Sequence, residues 1–351
     1  MDLRQFNPMK VLHHWETLNA ILGGKIPPPV SCEIDPSNLC NHDCVWCMYH
    51  DFKIEKNIMM PAKIMFNLIR ELSRGGVKSI TFTGGGEPLT NPATVEGLYR
   101  VKSAKMEVGL VTNGGLLTPD VSEAIVKTCT FLRVSLDAAT RSTHDALHKP
   151  INSSKDNFDK ILDNIRSLVD LKKKSNKKLL VGIAFLVHPN NYLEIYDASN
   201  LAKQVGADYI QIRPVFTAGK KPLGKLWLDI QELMERSLGL IDGGFHVFPI
   251  LHRFEEVSRI ERAYTRCLGH ALLGVVGADC NVYLCCQLRG NPRFSFGNLK
   301  EKSFFKIWRG KERQEVIKRI DLDRCPPCRY NKYNELLDYL SDRTQPHKNF
   351  L

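Results

Sequence analysis

The sequence predicts an α/β fold: a partial (β/α)6 barrel followed by a small cysteine-rich domain. Six short runs rich in β-branched and aromatic residues lie between positions 30 and 215 and alternate with amphipathic helical stretches. That alternation is the pattern of parallel strands joined by helical crossovers. Right-handed crossovers curl such a set into a barrel or part of one. Nine of the eleven cysteines fall in two groups, 40–47 and 267–328, and the second lies beyond the last of the six strands.

Residues 1–29 read as a lead-in: a helix, then Gly23-Gly24 and Pro27-Pro28-Pro29. A strand over 30–34 runs straight into the first cysteine group. Over 61–75 a helix is expected, because Pro61 suits a first turn, Ile64, Leu68, Ile69 and Leu72 form one apolar stripe, and Gly75-Gly76 ends it. The series continues with strand 77–83, helix 91–102 and strand 106–112, the last closed by Asn113-Gly114-Gly115. Thr118 caps a helix over 119–128, and strand 131–136 follows. Phe158, Ile161, Ile165 and Leu168 mark one face of a helix over 157–171. Strand 179–187, helix 192–205 and strand 209–215 complete the barrel, 30–215. Residues 216–262 read as a connector with a helix near 229–238, and 263–351 as the second domain.

A chain of 351 residues suffices for one large or two ordinary domains. Its 43% hydrophobic and 25% charged content is that of a soluble globular protein. The first twenty residues carry Asp2, Arg4, Lys10 and Glu16 and no long apolar run, so neither a signal peptide nor a membrane anchor is expected there. No stretch approaches a membrane span in length. Eleven cysteines without an export signal point to a cytoplasmic protein with reduced thiols and metal ligation; Cys32 and Cys129, in apolar contexts, read as packing residues. The net charge of +11 suits an anionic substrate or an acidic redox partner. Part of it is a solvated turn, Lys172-Lys173-Lys174-Ser175-Asn176-Lys177-Lys178, and no basic stripe is interleaved with aromatics, so nucleic acid is not an expected partner.

The first cysteine group reads Cys40-Asn-His-Asp-Cys44-Val-Trp-Cys47. Three thiolates spaced this way can ligate three irons of a [4Fe–4S] cube and leave the fourth iron open; a closed zinc site needs a fourth ligand, which only His42 could supply locally. Thr83-Gly84-Gly85-Gly86-Glu87-Pro88 follows the second strand, Thr112-Asn113-Gly114 closes the third and Ser135-Leu136-Asp137 the fourth. All of these fall at C-terminal strand ends, where βα barrels place their chemistry. Together they resemble the radical SAM superfamily, and so imply a partial (β/α)6 TIM-like barrel. The resemblance implies that Cys40, Cys44 and Cys47 hold a [4Fe–4S] cluster whose open iron chelates the amino and carboxylate groups of S-adenosyl-L-methionine (SAM). An electron from that cluster splits the sulfonium and yields a 5′-deoxyadenosyl radical. Trp46 fits the aromatic position before the third cysteine. Gly84, Gly85, Gly86 and Glu87 match the motif that holds the methionine amino group, and Thr112 and Ser135 match positions that contact SAM. Asp137 is expected to orient the loop 138–143. Arg141 and Arg213, near strand ends, suit either a carboxylate partner or plain surface charge. No residue is assigned as a proton-transfer catalyst.

The second group comprises Cys267, Cys280, Cys285, Cys286, Cys325 and Cys328. On its own, Cys325-Pro326-Pro327-Cys328 fits zinc, a redox dithiol or an iron–sulfur cluster. Its setting is a short hairpin ending in Cys285, then Phe296-Gly297-Asn298-Leu299-Lys300, then a helix bearing Phe304, Phe305, Ile307 and Trp308. This order resembles the SPASM/twitch extension of radical SAM enzymes. The resemblance implies one auxiliary [4Fe–4S] cluster on Cys267, Cys285, Cys325 and Cys328, with Cys286 as an alternative to Cys285. Cys280 stands where that family has glycine. The full two-cluster form takes seven cysteines, and six are present. An all-cysteine auxiliary cluster implies an electron acceptor, hence oxidation of a small polar metabolite of sugar, aminocyclitol or nucleoside type. Flavodoxin or ferredoxin is the implied electron donor. A peptide- or protein-modifying maturase is the alternative reading, against which the lead-in of about thirty residues counts, being shorter than a peptide-recognition domain. A non-catalytic metal-binding protein is a further alternative, but it would have no need of the glycine–glutamate motif. The histidines, among them His42, His144, His148 and His188, show no metal-ligand spacing.

Overall fold

All six expected strands form, because each alternates residues between a helix-covered face and a barrel interior. They are β1 (Ser31–Ile34), β2 (Ser79–Phe82), β3 (Glu107–Thr112), β4 (Phe131–Ser135), β5 (Leu180–Val187) and β6 (Tyr209–Pro214). The structure is a computed structural model describing residues 6–50, 52, 57–151, 157–216, 223–258, 261–342, 344 and 346. Neighbouring strands pair parallel and in sequence order from β1 to β6. Helices return the chain between them: α2 (Ala62–Arg74), α3 (Ala93–Ser103), α4 (Pro119–Thr128), α5 (Arg141–His148), α6 (Asn157–Ser175) and α7 (Ile195–Gln204), preceded by α1 (Trp15–Leu22). On β4 and β6 the even positions Leu132, Val134, Ile210 and Ile212 are fully buried in the main core, beneath the helices. The odd positions face the interior.

Two expectations change here. The connector holds α8 (Trp227–Leu238) but also a seventh parallel strand, β7 (His246–Pro249), paired with β6, followed by α9 (Leu251–Ser258). Its four residues are too short to show an alternation in sequence. Residues 138–143 are not all loop, since Thr140 accepts the Thr143 N–H and starts α5. Asp137 does organise this corner: its carboxylate accepts the Leu186 N–H at 2.6 Å, and its carbonyl accepts from Asn191.

The cysteine-rich segment continues the same sheet. β8 (Leu273–Val276) pairs parallel with β1, and β9 (Asn281–Tyr283) and β10 (Ser295–Asn298) extend it antiparallel, giving ten strands among the described residues. α10 (Phe304–Trp308), α11 (Lys311–Lys318) and α12 (Asn331–Ser341) follow. A buried charge cluster pins this segment to β1. Arg289 donates to Glu33 at 2.9 Å and meets Asp35 at 3.0 Å, and Arg329 reaches Glu33 at 2.6 Å. The lead-in packs Val11, Leu18 and Ile21 against Leu272 and Leu337. The Phe6 ring meets Tyr209 at 5.5 Å and Phe248 at 4.8 Å, making an aromatic floor to the barrel.

Candidate iron–sulfur and SAM site

The first cysteine loop leaves β1 through Ser37–Leu39, and the glycine turn after β2 is laid directly on that segment. Gly86 donates its N–H to the Ser37 carbonyl at 3.1 Å, and Glu87 donates to the Leu39 carbonyl at 2.8 Å. A Cβ on Gly86 would lie 2.1 Å from the Leu39 oxygen and 2.5 Å from the Asn38 carbonyl carbon. Only glycine permits that approach, and the glycine turn thereby sets where Cys40 begins.

Glu87 is buried. Its carboxylate accepts from the Thr112 hydroxyl at 2.7 Å, the Asn113 N–H at 2.8 Å and the Leu89 N–H at 3.1 Å. Burial pushes its carboxyl up to about 6, against the pull of those hydrogen bonds. The single Thr112 proton is thus spent on Glu87, and its oxygen also accepts the Gly114 N–H at 3.1 Å. Thr112 therefore joins the site by fixing Glu87. Ser135 faces the interior at the end of β4, in the ladder with β5, and its hydroxyl makes no hydrogen bond among the described residues.

Three residues that sequence reasoning missed hold the cysteine loop. Asn113 donates to Asn41 at 2.6 Å and approaches the Cys40 sulfur at 3.9 Å. His148 Nδ1 lies 3.3 Å from Cys44 Sγ, and its Nε2 lies 3.2 Å from Asp137. His42 bonds Asn157 at 3.2 Å. One ring nitrogen from each of His42, His144 and His148 lies within 4.8 Å of the others, a grouping that the reading of no metal-ligand spacing among the histidines did not anticipate. His148 is engaged by Cys44 through Nδ1 and faces Asp137 across an ion-pair contact through Nε2, so the trio reads as packing behind the loop. The i,i+4 spacing of His144 and His148 was the available signal, hidden because α5 was not expected. The Trp46 ring sits between His148 and His188, at 5.8 and 5.5 Å. Arg141 is a surface residue paired with Asp159, whereas Arg213 points into the barrel from β6.

In the second group, Cys267, Cys285, Cys325 and Cys328 are partly buried and free. Burial raises each thiol's pKa; the Cys325 charge raises that of Cys267, the Cys286 charge and then that of Cys267 raise Cys285, and the charges of Cys267 and Cys286 raise Cys328. Cys286 is buried against Leu273, Val275 and Tyr283, beside this set. Arg262 donates to the carbonyls of Cys325 and Pro326, at 2.7 and 3.1 Å, and Arg253 to those of Cys328 and Arg329. These two guanidinium groups hold the Cys-Pro-Pro-Cys turn in place. Among the described residues no three thiols lie within 4.8 Å of one another. Cys32, Cys129 and Cys280 are buried. Burial raises all three thiols, and Cys280 adopts φ +68°, a left-handed backbone conformation that favours glycine.

Residues 34–202 match the family model described as the Radical SAM superfamily, and residues 267–330 match the model of an iron-sulfur cluster-binding domain, SPASM. The AdoMet-dependent heme synthase of Methanosarcina barkeri is 26% identical over 320 residues, 84% of this chain and 86% of that protein. The radical SAM cyclopropyl synthase TigE of Paramaledivibacter caminithermalis is 32% identical over 160 residues, but the match spans 40% of this chain and 32% of that protein. The mycofactocin maturase MftC of Mycobacterium tuberculosis is 24% identical over 61% of this chain and 51% of its own. The crystal structure of Streptococcus suis SuiB bound to S-adenosylmethionine superposes with a TM-score of 0.64 at 16% identity, covering 88% of this chain and 73% of that one. At that identity the likeness is one of fold.

Proposed function

The chain belongs to the radical SAM superfamily and ends in an iron–sulfur cluster-binding SPASM domain, and from that premise we propose that it cleaves SAM reductively and oxidises a small polar metabolite of sugar, aminocyclitol or nucleoside type. What carries the reading is the convergence of the Cys40–Cys47 loop, Glu87 and Ser135 at the C-terminal ends of β1, β2 and β4. When bound there, a [4Fe–4S] cluster with SAM supplies the electron and the 5′-deoxyadenosyl radical, and the auxiliary cluster supplies an electron acceptor. Cys40, Cys44 and Cys47 are the proposed ligands of the first cluster, with Asn113 and His148 fixing their loop. Gly84, Gly85 and Gly86 set the backbone, Glu87 holds the amino group of SAM, Ser135 offers its free hydroxyl, and Trp46 shields the loop. Thr112 aims Glu87. Cys267, Cys285, Cys325 and Cys328 are the proposed auxiliary ligands, positioned by Arg253 and Arg262. The proposed division of the chain is 1–29, 30–215, 216–262 and 263–351. Flavodoxin or ferredoxin in the cytoplasm is the proposed electron source, for which the net charge of +11 is complementary.

A small substrate is supported by the polar interior, where Ser135, Gln211, Arg133 and Arg213 face one another across β4–β6. The similarity to the mycofactocin maturase favours a second reading, modification of a peptide.

The first test is anaerobic iron and sulfide analysis of reconstituted wild type beside a Cys40/Cys44/Cys47→Ala variant, with 5′-deoxyadenosine assayed in both. About eight irons falling to about four, with deoxyadenosine lost, is the expected result. About four irons and one zinc in wild type would remove the auxiliary cluster from the proposal. Deoxyadenosine formation stimulated by peptides and not by small-metabolite fractions would replace the first reading with the second.

A further inference from the structure

The barrel interior carries more positive charge than its own residues neutralise. Alternation puts Arg133 of β4 and Gln211 and Arg213 of β6 on the inner face, above the ring of Tyr209. Between them, β5 offers only Gly182, Ala184 and Leu186 to the interior, and a Cβ on Gly182 would lie 2.0 Å from the Tyr209 ring. The Tyr209 ring is laid against the bare Gly182 backbone, and Ala184 is the small residue that separates Ser135 from Gln211. The Arg133 guanidinium donates to the neutral Gln211 Oε1, at 3.4 Å. Arg213 makes no hydrogen bond or ion pair among the described residues. The Nε atoms of both are buried without an acceptor.

The nearby carboxylates are engaged elsewhere. Glu33 is held by Arg289 and Arg329, Asp35 by Arg289, Asp137 by His148 and the Leu186 N–H, and Glu256 by Arg253. Burial, and then the charges of Arg133, Arg329 and Arg253, press Arg213 well below the usual arginine range. A guanidinium does not lose its proton in a protein; it needs a counter-charge, and a planar oxyanion matches its fork.

We propose that Arg133 and Arg213 bind an oxyanion of the substrate, a carboxylate or a phosphate, beside Ser135 and above the aromatic floor. This rests on the reading of the barrel as the substrate chamber and narrows the substrate to an anionic metabolite. The carboxylate of SAM is the competing source of the same chemistry.

Inorganic phosphate and succinate are the probes, titrated separately by calorimetry into the anaerobically reconstituted protein, with and without saturating SAM. At least one is expected to bind wild type with SAM present. Arg133→Gln and Arg213→Gln should each weaken that binding about tenfold or more, and Arg213→Lys less. Their SAM affinities should stay within about twofold of wild type. Removing an unpaired charge should also leave the anion-free Tm of Arg213→Gln equal to or above that of wild type, where an arginine with a structural role would lower it. The proposal is overturned if neither probe binds, if the variants bind as wild type does, or if the Tm of Arg213→Gln falls. A parallel loss of SAM affinity overturns it too, and assigns the arginines to SAM. Deoxyadenosine is assayed on the same samples: its absence from wild type counts against the radical activity, whereas the anion titration is read without turnover.

Discussion

Replacing Arg289 by Met should loosen the cysteine-rich segment from the barrel. The change keeps most of the apolar stem and removes the charge. Arg289 has a side chain only 2% exposed and is shared by Glu33 and Asp35, themselves 5% and 0% exposed. Breaking a buried ion pair by deleting one partner costs about 3–5 kcal/mol, because the remaining charge is stranded. With 351 residues, an unfolding entropy of about 2.1 cal/mol/K per residue is about 0.74 kcal/mol/K, so the apparent Tm should fall by about 4–7 °C. Arg329 still serves Glu33, which leaves Asp35 as the stranded group. Burial pushes Asp35 up to about 7 even with Arg289 pulling it down. Without Arg289 its folded pKa stands further above the unfolded value, so stability is retained at low pH and lost as pH rises through the folded pKa. The deficit should therefore be smaller at pH 6 than at pH 8. Adding Asp35→Asn should recover more than half of it. The assay is anaerobic thermal denaturation of reconstituted protein at a fixed scan rate. A Tm within about 1 °C of wild type, equal deficits at both pH values, or losses that simply add in the double variant would refute the assignment of Arg289 as the clamp.

Three further outcomes follow from the first site. Gly86→Ala should cost the protein about four irons, because the new Cβ meets backbone at 2.1 and 2.5 Å and displaces the segment leading to Cys40; iron content equal to wild type would show that the turn does not set that loop. His148→Phe removes the contact to Cys44 at 3.3 Å. An N–H···S bond favours the more negative, reduced cluster, so losing about 1 kcal/mol should lower the first cluster's midpoint potential by about 40 mV, and an unshifted potentiometric EPR titration would exclude the bond. Glu87, raised to about 6, takes up protons on folding between its unfolded and folded values. It therefore contributes stability that is full below about 4.5 and is lost as pH rises through about 6, by about 2 kcal/mol; denaturant midpoints measured across that range should show the slope in wild type and lose it in Glu87→Gln.

The strands were readable because their signal is local. An odd–even alternation such as Phe131-Leu132-Arg133-Val134-Ser135 declares both a strand and its two faces. β7 failed that reading because four residues, one of them proline, are too few to alternate convincingly. α5 failed because Arg141–His148 has little apolar stripe beyond Ala146 and Leu147 and is defined instead by its Thr140 cap. The clamp between Arg289 and Glu33 spans 256 positions, and nothing in either neighbourhood marks the pair. A buried charge is explained only by a partner, and the partner's identity comes from how β8 registers on β1.

The same limit governs the site. The thiol spacing, the glycine run and Glu87 could be read as motifs because the chemistry they resemble fixes residue type and order along the chain. Which hydrogen bonds those residues make is decided across strands. Parallel pairing of β2 with β3 brings Thr112 and the Asn113 N–H to the same end of the sheet as Glu87, so two residues resembling separate SAM contacts turn out to bond each other. The turn after β3 then carries Asn113 to the Cys40–Asn41 edge of the loop, while α5 carries His148 to Cys44. The cysteine loop is therefore held by strand ends and a helix that are remote in sequence and adjacent only through the parallel register. A residue that weakens cluster binding without being a ligand should be sought among these supports, before the exposed part of the loop.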